Sequence, residues 1–145
     1  MRYLLDTDVL SASAPTKAQM RPDLNGWLVR ASERLFLSTI TLAEIEKGIA
    51  AARRTGATAK ADRLHLWLAT VEHLYGDRLL PFDRAVARKA GPMLDEARAF
   101  GMGFADVAIA ATAAAHSLTL LTANERHFRP LGVAWLNPLD ELPTL

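Results

Sequence analysis

Met1-Arg-Tyr-Leu-Leu-Asp6-Thr7-Asp8-Val9-Leu10 is the stretch on which the fold turns. An apolar run drives straight into a carboxylate, and a turn of helix is expected directly behind it. Residues 2–6 read as a strand. A buried strand that ends in an acid places negative charge at the carboxyl edge of a sheet, and open α/β folds bind ligands at that edge. The functional question is which other groups join Asp6 there.

Working outward, strand-like and helix-like stretches alternate. The pattern predicts a short helix over Thr7–Ser13, stopped by Pro15, and a helix from Pro22 to about Ala31, with proline in its first turn. Leu35–Ser38 reads as a strand and Thr41 to about Thr55 as a helix. A longer helix is expected over 57–74, because Leu64, Trp67, Leu68, Val71, Leu74 and Tyr75 recur at spacings of three and four. This stripe serves either the core or a protein–protein surface. Leu79–Phe82 follows as a strand, and Asp83 caps a helix to about Phe100, ended by Gly101 and Gly103. Phe104–Ser117 is helical, Leu118–Leu121 a strand, Asn124–Arg129 a helical turn and Val133–Leu136 a last strand. Short apolar strands separated by helices imply a parallel sheet covered on both faces. With no repeat, low-complexity tract or linker, residues 1–145 form one α/β domain.

Composition narrows the function classes. Half of the 145 residues are apolar, enough for a sizeable core. Cysteine is absent, which excludes disulfides and thiolate metal sites and suits a reducing compartment. Asp6 interrupts the apolar segment a signal peptide would need, and no run approaches the length of a membrane span, so the expected location is cytoplasmic. The net charge of +1 does not by itself announce nucleic acid. Locally, Lys47, Arg53, Arg54, Lys60 and Arg63 face one acid, Asp62: either an ordinary solvated helix face or a track for phosphates.

Three acids occupy positions where a charge is costly unless it is paired or bound. Asp6 closes the first strand, Glu44 follows the second, and Asp106 opens the uncharged helix Val107-Ala-Ile-Ala-Ala-Thr-Ala-Ala-Ala115. Singly, each has a plainer explanation. Thr41-Leu-Ala-Glu44 matches a capping box, Asp106 suits a helix dipole, and Asp6 can cap the turn behind it. Jointly, a parallel sheet brings all three to one edge, where they repel unless a cation intervenes. Oxygen ligands without cysteine or paired histidines favour Mg²⁺ or Mn²⁺ over zinc, and phosphoryl chemistry with it. His65, His73, His116 and His127 show no paired metal spacing, and only His127 falls near the expected pocket. Trp27, Trp67 and Trp135 each lie in apolar stretches and read as core.

The chain resembles a PIN domain, specifically the VapC-like ribonuclease toxins of VapBC-type toxin–antitoxin systems. The resemblance is carried in order by Leu4-Leu-Asp6-Thr7-Asp8-Val-Leu-Ser11, Thr39-Ile-Thr41-Leu-Ala-Glu44-Ile-Glu-Lys-Gly48, Asp106-Val-Ala-Ile109-Ala110, Leu121-Thr122-Ala-Asn124-Glu-Arg-His-Phe128 and Leu136-Asn137-Pro138. It implies a parallel sheet sandwiched by helices and a Mg²⁺- or Mn²⁺-dependent endoribonuclease. It also implies an acidic pocket, a homodimer and an antitoxin of the VapB-like kind. Catalytic and metal-binding acids then fall on Asp6, Glu44 and Asp106, with Thr7, Thr122 and Asn124 lining the pocket. Many PIN domains have a fourth acid where Asn124 stands. Asparagine there adds no charge and weakens a second metal site more than the first. Glu125 beside it is expected to point elsewhere. Asp8 stands where the family commonly has asparagine; it either adds charge to the pocket or caps the short helix, and we read it as the cap.

Two alternatives differ in kind. Asp6-Thr7-Asp8 resembles the nucleophile loop of haloacid-dehalogenase-like phosphatases, with Asp6 attacking phosphorus and Asp8 as general acid. The late acidic pair of that superfamily is missing, however, since Gly76-Asp77 runs into Arg78-Leu-Leu-Pro81. The other is a catalytically silent module that keeps the fold and only pairs with an antitoxin, a reading favoured by Asn124 alone.

Overall fold

Alternation along the strands builds the molecule. In the computed structural model, which describes residues 1–17 and 21–145, β1 (Tyr3–Leu5) sends Tyr3 and Leu5 to one face of a sheet and Leu4 to the other. β2 (Leu35–Ser38) does the same with Leu35 and Leu37 against Phe36, and β4 (Thr119–Leu121) with Leu121 against Leu120. Both faces of each central strand are therefore buried, as a parallel sheet requires. Leu4, Leu5, Leu120 and Leu121 have no exposed surface, and each contributes roughly 1.5–3 kcal/mol by burial.

Five parallel strands run in the order β3-β2-β1-β4-β5, with β3 at Leu79–Leu80 and β5 at Trp135–Leu136. Four helices pack on the first face: α1 (Thr7–Ser11), α2 (Pro22–Arg30), α3 (Thr39–Arg54) and α4 (Thr58–Tyr75). The second face is covered by α5 (Arg84–Ala97), α6 (Phe104–Ala115) and the short α7 (Glu125–Phe128). The chain winds outward from β1 through β2 to β3, then returns to lay β4 on the other side of β1. The strand order reverses between β1 and β4, and the crevice beyond their carboxyl ends is where such folds hold ligands. Among the described residues, no helix is long and apolar enough to cross a membrane.

The expected elements all form, with corrected ends. Pro81 has no N–H to donate, so β3 stops at Leu80 rather than reaching Phe82. The Phe82 N–H goes instead to Thr39 Oγ1 at 3.2 Å. α1 ends at Ser11, and β5 holds only Trp135 and Leu136 of the expected 133–136. α5 gives way to a 3₁₀ turn at Arg98–Phe100, closed by Gly101 at φ +68°. α3 begins two residues early because the buried Ser38 hydroxyl caps it, accepting from the Ile40 N–H at 3.0 Å.

Trp27 is buried, stacks edge-on against Tyr3 at 5.7 Å, and donates its indole N–H to the Pro143 carbonyl at 2.7 Å, tying down the C-terminal segment. Trp67 and Trp135 are half-buried against the two cores. The α4 stripe divides. Leu68 and Val71 are buried, whereas Leu74 is 64% exposed and lines an apolar groove of about 500 Å³ with Leu28, Val29 and Trp67.

Candidate active site

The β1–α1 junction supplies the first carboxylate. Asp6 is only 3% exposed. Its Oδ1 accepts the Thr7 N–H at 2.9 Å and its Oδ2 accepts the Thr122 hydroxyl at 2.8 Å. Thr122 follows β4 directly and is fully buried, so this bond spans the crevice where the strand order reverses. The same Thr122 oxygen accepts the Asn124 N–H at 3.0 Å, which folds the β4–α7 loop over the site. Asp6 is thus held rigid but poorly solvated. Burial, and then the charge of Asp8, push its pKa up to about 7 against the opposing hydrogen bonds from Thr122 and Thr7, with Asp106 adding to the rise.

Asp8 was read as a cap, and the structure gives it a larger part. Asp6 itself caps α1. Asp8 Oδ1 accepts the Val9 N–H at 2.7 Å, while its Oδ2 reaches across to the Ala123 N–H at 3.0 Å. Its pKa is raised by burial, with Asp106 contributing, while bonds from Ala123 and Val9 and a hydrogen bond with Asp6 oppose the shift. Asp8 therefore belongs to the acidic pocket. The Asp-x-Asp spacing on a strand-to-helix turn was the signal for it. What the sequence does not display is Ala123, 115 positions away, whose N–H turns the carboxylate inward.

Glu44 comes from α3, and its setting removes the capping-box explanation. With the helix starting at Thr39 under a Ser38 cap, Thr41 and Glu44 lie inside it rather than bracketing its first turn. Thr7 Oγ1 sits 2.5 Å from Glu44 Oε1 and 3.0 Å from Thr41 Oγ1. A hydroxyl carries one proton, so Thr7 donates to the carboxylate and accepts from Thr41. Glu44 is thereby linked to Asp6 through one residue, Thr7, whose N–H serves Asp6 and whose hydroxyl serves Glu44.

Asp106 lies in the first turn of α6 behind Gly103, as expected, and its charge is felt at both Asp6 and Asp8. Its Oδ2 is 3.2 Å from His127 Nδ1 on α7, a contact that also draws His127 to the pocket rim. Asn124 precedes α7, and its exposed side chain makes no capping bond. Glu125 lines a separate groove with Trp135, Asn137 and Asp140, away from the acids as expected.

The predicted ligands Asp6, Glu44 and Asp106 converge on one sheet edge but do not close into a cluster. Among the described residues, no three of His, Cys, Asp or Glu are gathered to hold a metal ion. Asp6 and Glu44 each have a hydroxyl donor instead, Thr122 and Thr7, and Asp106 has His127 Nδ1 3.2 Å away. Like charges spread apart when such donors are available. The donor chemistry nevertheless suits a hard divalent cation, being oxygen throughout. Among the described residues, no Lys or Arg pairs with Asp6, Asp8, Glu44 or Asp106.

The basic stretch is partly spoken for. Arg53 pairs with Asp62 at 2.8 Å, and Arg63 donates to the Pro15 carbonyl at 2.7 Å. Arg129 lies over the Trp135 ring at 5.7 Å, while Arg126 is exposed on α7. Lys60 lines a groove that includes Thr7 and Glu44.

A crevice of carboxylates and hydroxyls thus lies at the reversal point of a parallel α/β sheet. The PIN domain model matches residues 3–132. Toxin FitB of Neisseria gonorrhoeae is 36% identical over 139 residues, covering 93% of this chain and 96% of its own. The VapC ribonuclease Y4jK of Sinorhizobium fredii is 33% identical over 140 residues, covering 94% and 97%. The crystal structure of FitAcB from Neisseria gonorrhoeae superposes with a TM-score of 0.80 at 35% identity, over 94% of this chain and 98% of that one. The chain belongs to the PIN-domain family, in its VapC-like group. That membership sets aside the phosphatase reading of the Asp6-Thr7-Asp8 loop.

Proposed function

We propose that the protein is the toxin of a type II toxin–antitoxin system and acts as a Mg²⁺- or Mn²⁺-dependent endoribonuclease. The observation that carries this is Asp6: a buried carboxylate beside Asp8 and Asp106, with no cationic side chain paired to it among the described residues. Ionised, such a carboxylate is costly, and either a proton or a bound cation relieves it. Asp6 and Asp106 would hold the ion, with Glu44 binding it directly or through water; when bound, it supplies an acidified water and charge shielding for the scissile phosphate. In hydrolysis the water oxygen bonds to phosphorus, one bridging P–O bond breaks, and the departing oxygen takes a proton.

This chain's residues then have distinct tasks. Thr7 and Thr122 fix the two oxygens of Asp6, so the carboxylate is oriented before substrate arrives. Thr7 also holds Glu44 toward the same centre. Asp8 adds negative charge that favours a divalent ion over a monovalent one. Asn124 offers no charge, which limits the site to one strongly held ion.

The relatives' names support a partner protein, and we assign this chain a VapB-like antitoxin and a homodimeric state. The apolar groove of Leu28, Val29, Trp67 and Leu74 is the kind of exposed surface that an antitoxin segment would cover. Induced expression of the chain alone in a bacterial host tests the reading against the silent module. Growth arrest that vanishes in Asp106→Asn supports the nuclease; unimpaired growth at confirmed expression favours the module.

A further inference from the structure

Gly48 is an unusual choice for its place. It sits inside the sixteen-residue helix α3, where glycine disfavours the helix relative to alanine. No protein atom demands its smallness, since an added Cβ would meet nothing within 4 Å. Its position is one helical turn beyond Glu44, on the same face. Both residues line a groove of about 280 Å³ that starts at Thr7 and Glu44 and runs between two walls. One wall is the segment after α1, with Ala14, Thr16 and Lys17; the other is α4, with Lys60, Leu64 and Trp67. Arg63 of α4 donates to the Pro15 carbonyl and so fixes the distance between the walls.

The charge along this groove changes sign. At the inner end is the Glu44 carboxylate. Farther out are Lys17 and Lys60, one on each wall, both exposed and, among the described residues, neither in an ion pair. No acid in the first turn of α4 offsets Lys60. A polyanion whose reacting phosphate lies at the acids would present its next phosphates to these lysines.

We propose that this groove is the subsite for the RNA strand flanking the cut, with Lys17 and Lys60 gripping its phosphates and Gly48 giving the backbone room to pass. The inference rests on the ribonuclease reading above. Lys17 and Lys60 are positioning groups, as phosphate contacts set register rather than sequence.

The test uses a fluorescein-labelled, mixed-sequence single-stranded RNA bound in EDTA, followed by anisotropy across a salt series, with cleavage then assayed separately after adding Mn²⁺. Lys60→Ala and Lys17→Ala are each expected to flatten the slope of log K against log salt by about 0.7. Lys89→Ala, exposed on α5 outside the groove, leaves the slope unchanged. Gly48→Ala raises the melting temperature, and Gly48→Met keeps it at or above wild type while binding and cleavage are both lost. Unchanged slopes in the two lysine variants, together with full cleavage by Gly48→Met, would overturn the subsite and leave the nuclease reading standing. The same variants losing only a co-expressed antitoxin would give the groove to a protein instead and equally overturn it. A wild-type chain that neither binds nor cuts RNA would remove both readings at once.

Discussion

Asp6 is a buried carboxylate whose effect on stability has a testable sign. Its folded pKa of about 7 lies above the usual 3.8, so the native protein holds a proton there that the unfolded chain gives up. In EDTA, stability is therefore undiminished by this group below about pH 4 and falls as pH rises through about 7. Asp6→Asn removes that penalty. Its gain in melting temperature should be small near pH 4 and larger near pH 8, where it corresponds to a few kcal/mol in order of magnitude. A gain independent of pH would contradict the account. Thr122 acts in the opposite sense. Thr122→Val leaves the buried Asp6 Oδ2 and the Asn124 N–H without their partner, and should cost about 1–3 kcal/mol in urea unfolding at pH 8. A neutral result would mean that water replaces the hydroxyl.

At the level of elements, the aim of Glu44 depends on where α3 starts. Ser38→Ala deletes its cap and should lower stability by about 1 kcal/mol, measured by chemical denaturation. The cap lies at the end of β2 and Thr39 anchors Phe82 beyond β3, so the same change should weaken RNA cleavage more than a surface substitution of equal stability cost. These elements also separate what was legible in the sequence from what was not. The run into Asp6, the α4 stripe and the Ala-rich helix after Asp106 announced a covered parallel sheet, because buried strands and amphipathic helices leave periodic traces. Thr41 reads as the cap of α3, whereas the structure gives that place to Ser38 at the end of β2. The settings of Asp8 and His127 are hidden from the sequence for a related reason. Each owes its place to a contact on a distant segment, with Ala123 and Asp106 respectively, and no local pattern encodes those meetings.

For the whole molecule, the balance of charge matters less than its arrangement. A net charge of +1 conceals an acidic crevice at the sheet's reversal point and a lysine-edged groove leading from it. On the proposed ribonuclease reading, that arrangement would let a polyanion approach an acidic site without a basic surface overall. The apolar Val29, Leu66 and Leu74 stand exposed on α2 and α4. The central claim is that the acids on this edge cut RNA with a divalent ion, and the most direct measurement is cleavage of a total cellular RNA pool by the purified chain. Reactions run with Mg²⁺, with Mn²⁺ and with EDTA, beside an Asp106→Asn variant. The account predicts discrete cuts with either ion, none in EDTA, and loss of cutting in the variant at unchanged fold. Equal inertness of wild type and variant, with the ion demonstrably bound, would contradict it and leave a silent antitoxin-binding module.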